Sequence, residues 1–141
     1  MEALNVAELP AGALLLVDSA PIIYTLEANE RFAQRFAPLF QRHAMGELVL
    51  AVTTITIAEV LTGPLKASEE ALAKRYRAVL DTWQVVDFTS AIAEGAARLR
   101  GTYGLKLPDA IQLASALEIN AHALVTHDRD FSQVRGMRVL A

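Results

Sequence analysis

Cysteine is absent from the 141 residues. That removes a disulfide framework, a thiolate metal site and a cysteine nucleophile together, so any chemistry here uses oxygen or nitrogen groups. Long apolar runs are missing too: residues 13–17 form a run too short for a signal core or a membrane span, and Glu2 and Glu8 stand where a signal would carry basic residues. The chain reads as cytoplasmic, with no membrane association. An excess of positive charge is also lacking. The formal net charge is −3, whereas affinity for phosphate backbones comes mostly from Lys and Arg. If four carboxylates share one site, the remainder carries +1. The overall charge therefore argues against long-range steering, and not against local binding of a nucleic acid. Repeats, low-complexity tracts and linkers do not occur, and the five prolines are scattered singly. With 53% hydrophobic residues, a chain of this length builds one core, and a single domain over 1–141 is expected.

What is present alternates. Residues 13–17 are apolar and end at Asp18, and Pro21 follows where a helix can begin. Residues 30–43 place Phe32, Phe36, Leu39 and Phe40 at helical spacing with Arg31, Arg35 and Arg42 on another face, and Gly46 closes the helix. Residues 48–52 form a second β-rich run, with Thr53 and Thr54 as hydroxyl caps for a helix carrying Ile57, Val60 and Leu61. A polar helix spans 68–82 and a strand 84–88. Thr89 or Ser90 then caps an alanine-rich helix that fades at Gly101 and Gly104. Pro108 opens a helix through 119, and 122–126 and 137–140 are the last strands. Short strands alternating with helices imply an α/β fold, a parallel sheet between two helix layers. In such sheets the strand carboxyl ends and helix amino ends share one edge, where ligands bind.

Four acids fall on that edge: Asp18 after the first strand, Glu59 in the helix after the second, Asp109 behind Pro108, and Asp128 after the fourth strand. Crowded carboxylates repel and stay ionised only beside cations. Oxygen donors without cysteine favour Mg²⁺ or Mn²⁺ over zinc. Each acid also has a local explanation. Asp18 is suited to cap a helix, Glu59 to close a capping box with Thr56, Asp109 to answer a helix dipole, and Asp128 with Asp130 to form an Asx turn. The set carries the argument, and its carboxyl groups are expected to line one pocket.

The segments LLLVDSAPIIY, TTITIAEV, LPDAIQLASA and LVTHDRDF resemble, in order and spacing, those of PIN-domain proteins. The resemblance covers almost the whole chain, and its size is most similar to the VapC-type toxins of toxin–antitoxin pairs. It implies a three-layer α/β/α sandwich with a short, mainly parallel sheet. It also implies a magnesium-dependent endoribonuclease, homodimeric and held inactive by a small antitoxin, that leaves 5′-phosphate and 3′-hydroxyl ends. Carried over by position, Asp18, Glu59 and Asp109 match the first three metal-site acids and Asp128 the fourth. Asp18 and Asp109 are the principal ligands in this reading, and Glu59 and Asp128 complete the shell. Asp130 supports the loop, Thr126 is the hydroxyl residue preceding the last acid, and Ser19 is the small polar residue after the first.

Arg98, Arg100 and Lys106 lead along the chain into the Asp109 helix and are the preferred phosphate contacts, although a solvated helix face is the commoner reason for such residues. His43 and His122 read as structural, and only His127 lies near the acids. The Phe32, Phe36, Phe40 stripe reads as core, part of which can form a groove for an antitoxin helix. Trp83 and Tyr103 read as packing residues. Two other functions fit the same residues: a PIN-type RNA-processing nuclease without an antitoxin, and a non-catalytic binding module whose acids only cap helices.

Overall fold

A computed structural model describes residues 1–141. Five strands, β1 (Leu14–Val17), β2 (Val49–Thr53), β3 (Gln84–Val86), β4 (Ala123–Val125) and β5 (Val139–Leu140), alternate with six helices. These are α1 (Ser19–Leu26), α2 (Ala33–Ala44), α3 (Thr54–Lys66), α4 (Glu70–Leu80), α5 (Ser90–Tyr103) and α6 (Leu107–Glu118). The sheet order is β3-β2-β1-β4-β5 with every pairing parallel. The expected mainly parallel sheet is therefore wholly parallel.

Alternation along each strand divides the core into two layers, as the period-2 geometry of a strand requires. On one face Leu15, Val17, Leu50, Val52, Ala123 and Val125 pack with Ile22, Phe36, Leu39, Ile57 and Val60 from α1, α2 and α3. On the other, Leu16, Ala51 and Leu124 pack with Ile92, Ala96, Ala110, Leu113 and Ala114 from α5 and α6. The register supports this division, since Leu15 pairs with both Leu50 and Ala123. A sheet buried on both faces leaves its strands almost wholly apolar.

The chain lays β1, β2 and β3 in one direction and then returns to place β4 on the other side of β1. Strand order reverses between β1 and β4, and at such a point the loops leaving two adjacent strands diverge and open a crevice. Asp18 leaves β1 and Thr126, His127 and Asp128 leave β4, so the reversal sets these residues side by side.

Element ends follow local chemistry. Thr53 and Thr89 accept from the backbone N–H of Thr56 and Ile92, capping α3 and α5. Gly104, at φ +67°, ends α5 in the left-handed conformation that glycine adopts without strain. Several boundaries differ from the sequence reading, among them the last strand, read over 137–140 and formed only by Val139–Leu140. The helix read over 68–82 begins at Glu70, because Ser68 has φ +59°; α2 begins at Ala33, after Asn29 has turned the chain by accepting from Arg31 N and Phe32 N; and β3 stops at Val86, leaving Phe88 exposed. No helix is long and apolar enough to cross a membrane.

Candidate metal centre

Asp18 is the most constrained acid of the edge, at 8% exposure. Its Oδ1 accepts from Ser19 N at 2.8 Å and from Gln112 Nε2 at 2.9 Å, and its Oδ2 accepts from Thr126 Oγ1 at 2.9 Å. It is both the cap of α1 and the hub of a buried network, so the capping explanation is true and incomplete. A carboxylate held by three donors keeps one orientation, and its remaining lone pairs are available to a cation.

Thr126, fully buried, joins two acids. Its hydroxyl donates to Asp18 and accepts Asp128 N at 3.0 Å. Asp128 Oδ1 in turn accepts Asp130 N at 2.8 Å, the Asx turn foreseen for this segment. That turn brings the Asp128 and Asp130 carboxylates to Asp109, so that one ligand oxygen from each of the three lies within 4.8 Å of the others. Asp130 thus does more than support the loop: its own carboxylate belongs to the cluster.

Asp109 enters from the first turn of α6, which opens with Leu107 and Pro108, and is 9% exposed. Burial first, then the charges of Asp128, Asp18 and Asp130, push its carboxyl up to about 7, with Lys106 opposing. The group is placed where its charge needs a partner that the protein does not supply in full. Lys106 Nζ stands 3.7 Å from Asp130 Oδ2, the one cation paired at this edge.

Glu59 occupies the other flank of Asp18. Ser19 Oγ donates to Glu59 Oε2 at 3.5 Å, and burial, then the Asp18 charge, raise the Glu59 carboxyl against that hydrogen bond. Its capping-box explanation fails, because α3 is capped by Thr53 and the Thr56 hydroxyl is engaged with Gln112 and Thr53. Glu59 is exposed and has no backbone partner. The four acids therefore share one edge with Asp18 between Glu59 and the Asp109–Asp128–Asp130 group. The edge is open: none of the cavities in the structure is lined by any of these acids, unlike the single pocket expected from sequence.

Gln112 is the residue of this network that sequence reasoning missed. It is 1% exposed, donates to Asp18 Oδ1 and to Thr56 Oγ1 at 2.6 Å, and accepts from Thr53 Oγ1 at 2.8 Å. One signal was available: an amide one helical turn beyond Asp109, within the apolar face of α6. A buried amide persists only when its donors and acceptors are met.

The basic residues lie elsewhere than expected. Arg98 pairs with Glu94 at 2.8 Å and lines a groove with Leu117 and Glu118, at the end of α6 opposite Asp109. Arg100 donates to Leu105 O and ties down the loop into α6. Of the three, Lys106 alone stands beside an acid of the edge. Another basic group gathers at His127 instead. Its Nδ1 is 2.9 Å from Tyr24 Oη, and its ring meets Phe32 edge-on at 4.7 Å between centroids. Burial, then the charges of Arg35, Arg129 and Arg31, lower its pKa. His43 binds Leu48 O and His122 meets Arg138. Trp83 stacks on Phe40, while the Tyr103 hydroxyl bridges Arg135 N and O.

The donor set suits a hard divalent ion: carboxylate oxygens, no thiolate, and a neighbouring imidazole whose Nδ1 is already engaged. Residues 15–137 match the family model described as PIN domain. Among solved structures, the chain is similar to a chain in a toxin–antitoxin complex from Klebsiella pneumoniae, at 31% identity and TM-score 0.70, covering 90% of this chain and 96% of that one. It also resembles a chain in VapBC-1 from nontypeable Haemophilus influenzae at 19% identity, TM-score 0.67 and 89% and 96% coverage. A third similar structure is a VapC toxin of Mycobacterium tuberculosis described as cleaving the sarcin-ricin loop, at 16% identity, TM-score 0.65 and 84% and 92% coverage. At these lower identities the likeness is one of fold. No curated protein matches the chain.

Proposed function

Because the chain belongs to the PIN domain family, we propose that it is a divalent-metal-dependent endoribonuclease and the toxin of a toxin–antitoxin pair. The observation that carries the reading is the convergence of Asp18, Asp109, Asp128 and Asp130 at the strand-order reversal, with the Asp109 carboxyl pushed up to about 7. Helix caps alone would scatter; these acids crowd, at an electrostatic cost that a bound cation offsets. The toxin reading draws support from the relative at 31% identity, whose structure is a toxin–antitoxin complex. RNA as substrate draws support from the sarcin-ricin-loop-cleaving toxin of the same fold.

In this reading Asp18, Asp109, Asp128 and Asp130 hold Mg²⁺ or Mn²⁺, and Glu59 stands on the opposite flank of Asp18. The ion supplies charge neutralisation at a phosphodiester and a water of lowered pKa. The protein's own part is positional. Gln112 and Thr126 hold the two Asp18 oxygens in place, and Thr126 couples that carboxylate to the Asp128 loop. Glu59, its carboxyl raised by burial and by the charge of Asp18, orients the attacking water and accepts its proton. Lys106 shields the flank of the cluster. A small antitoxin, a homodimeric assembly and a cytoplasmic site of action complete the proposal.

The test is cleavage of total RNA by the purified chain with Mg²⁺, with Mn²⁺ and with chelator. Cleavage is expected only with metal, and is expected to be lost in Asp18→Asn. Activity indifferent both to chelation and to that substitution would sink the mechanism.

A further inference from the structure

We propose that the surface built by Phe32 and His127, together with the guanidinium groups of Arg31, Arg35 and Arg129, seats the single-stranded part of the substrate beside the acids. A base stacks on the Phe32–His127 pair and its flanking phosphates lie on the arginines. The proposal rests on the ribonuclease reading above and says where its RNA sits.

Position is the first argument. His127 stands in the chain between Thr126, which holds Asp18, and Asp128, which belongs to the acidic group, so the loop that carries this ring also carries part of the acidic edge. Its orientation is fixed by the Tyr24 hydroxyl at 2.9 Å and by edge contacts with Tyr24 and Phe32. Phe32 lies 4.9 Å from Tyr24 between ring centroids, and both Phe32 and His127 remain partly exposed while Phe36 beneath them is fully buried. The aromatic group thus has a buried foundation and a partly exposed outer side, with Arg31 lying over Phe32.

Charge is the second argument. Arg31 lies over the Phe32 ring at 5.0 Å and Arg35 over Phe36 at 6.0 Å. Together with Arg129 they press on His127 with positive charge. None of the three makes an ion pair or donates a side-chain hydrogen bond, whereas Arg42, Arg77, Arg98 and Arg138 are all paired; Arg75 on α4 is unpaired too, but lies over no aromatic ring as Arg31 and Arg35 do. Three unpaired guanidinium groups on an acidic chain call for an anion from outside. Stacking planes next to backbone-tracking cations are the recognition chemistry of single-stranded nucleic acid. A purely acidic peptide would use the arginines and leave the rings idle.

The test uses the full chain and a short single-stranded RNA carrying 2-aminopurine, in chelator so that nothing is cleaved. Arg31→Ala with Arg35→Ala is expected to weaken binding about tenfold and to lower the salt-dependence slope by about 1.4, roughly 0.7 for each lost phosphate contact. The 2-aminopurine quench is expected to vanish in Phe32→Ala and to persist in Phe32→Tyr. Phe32→Leu, which keeps apolar volume without an aromatic ring, replaces Phe32→Ala if that variant melts early. With Mg²⁺, the arginine variant is expected to raise KM and spare kcat. Wild-type cleavage with binding, slope, quench and KM unchanged in all variants would overturn the patch and leave the nuclease standing. Patch-dependent RNA binding without metal-dependent cleavage would do the reverse. Arginine-dependent binding with no quench in the wild type would show a general anion surface and overturn the stacking.

Discussion

The Gln112 amide nitrogen lies 2.9 Å from Asp18 Oδ1, across 94 residues of sequence. This one contact fastens the α6 layer to the end of β1. It explains how an aspartate at the mouth of an open edge keeps a single orientation, because Gln112 is itself pinned by Thr53 and Thr56.

Replacing that amide with an apolar side chain of similar size separates positioning from chemistry. Gln112→Leu leaves Asp18, Thr53 and Thr56 short of partners inside the protein. The expected loss is about 2–4 kcal/mol of unfolding free energy, read by urea denaturation. RNA cleavage is expected to fall at least about tenfold in kcat, as expected when a metal-holding carboxylate loses its orienting partner. Unchanged cleavage would show that Asp18 needs no help from α6.

Asp109 makes stability depend on pH when no metal is bound. Its folded-state value of about 7 lies above the unfolded value of 3.8, so between those limits the folded chain holds a proton that the unfolded chain has released. Stability is expected to fall as pH rises through that window, and to stay reduced above it. After discounting for solvent screening the effect is on the order of 1–2 kcal/mol. Asp109→Asn is expected to flatten the profile and to melt higher than wild type at pH 8 in chelator. Adding Mg²⁺ is expected to raise the melting temperature of wild type and not of the variant.

Asp128 and Asp130 are expected to differ in degree. Asp130 is exposed, while Asp128 is half-buried and forms the turn that presents both. By Mn²⁺ calorimetry, Asp128→Asn is expected to weaken metal binding more than Asp130→Asn, and Asp130→Asn to weaken it measurably, within the 10–100-fold range of supporting ligands. An Asp130→Asn variant with wild-type affinity would return that residue to loop support alone.

Glu59 lies on the far flank of Asp18, reached through Ser19. Glu59→Gln is therefore expected to lower kcat by about 10²-fold or more, the usual scale of a lost general base, with Mn²⁺ affinity nearly unchanged. A large loss of affinity instead would make Glu59 a ligand.

The places of the acids along the chain's elements were legible in the sequence. Asp18, Asp109 and Asp128 each sit where a strand ends or a helix begins, with Glu59 inside the helix after β2, and apolar runs with their Thr, Pro and Gly punctuation mark such boundaries locally. The alternation of strand and helix identified the α/β class for the same reason. Arg98 and Arg100 show the limit, since closeness along the chain to Asp109 placed neither beside the acids. Helix α5 sets Arg98 against the far end of α6, away from the edge.

What the sequence determined by itself was everything governed by neighbours a few residues apart: the elements, their caps, and the residue types on one sheet edge. Only the tertiary structure decided who meets whom. Strand order brought β1 beside β4, so Thr126 bridges Asp18 and Asp128. Packing of α6 on β1 delivered Gln112, and the Asx turn swung Asp130 into the cluster. Arg35 of α2 and Arg31 just before it reached His127 by the same means. Such contacts join residues far apart in the chain, and periodicity, which reports only which face a residue occupies, carries no record of the partner opposite.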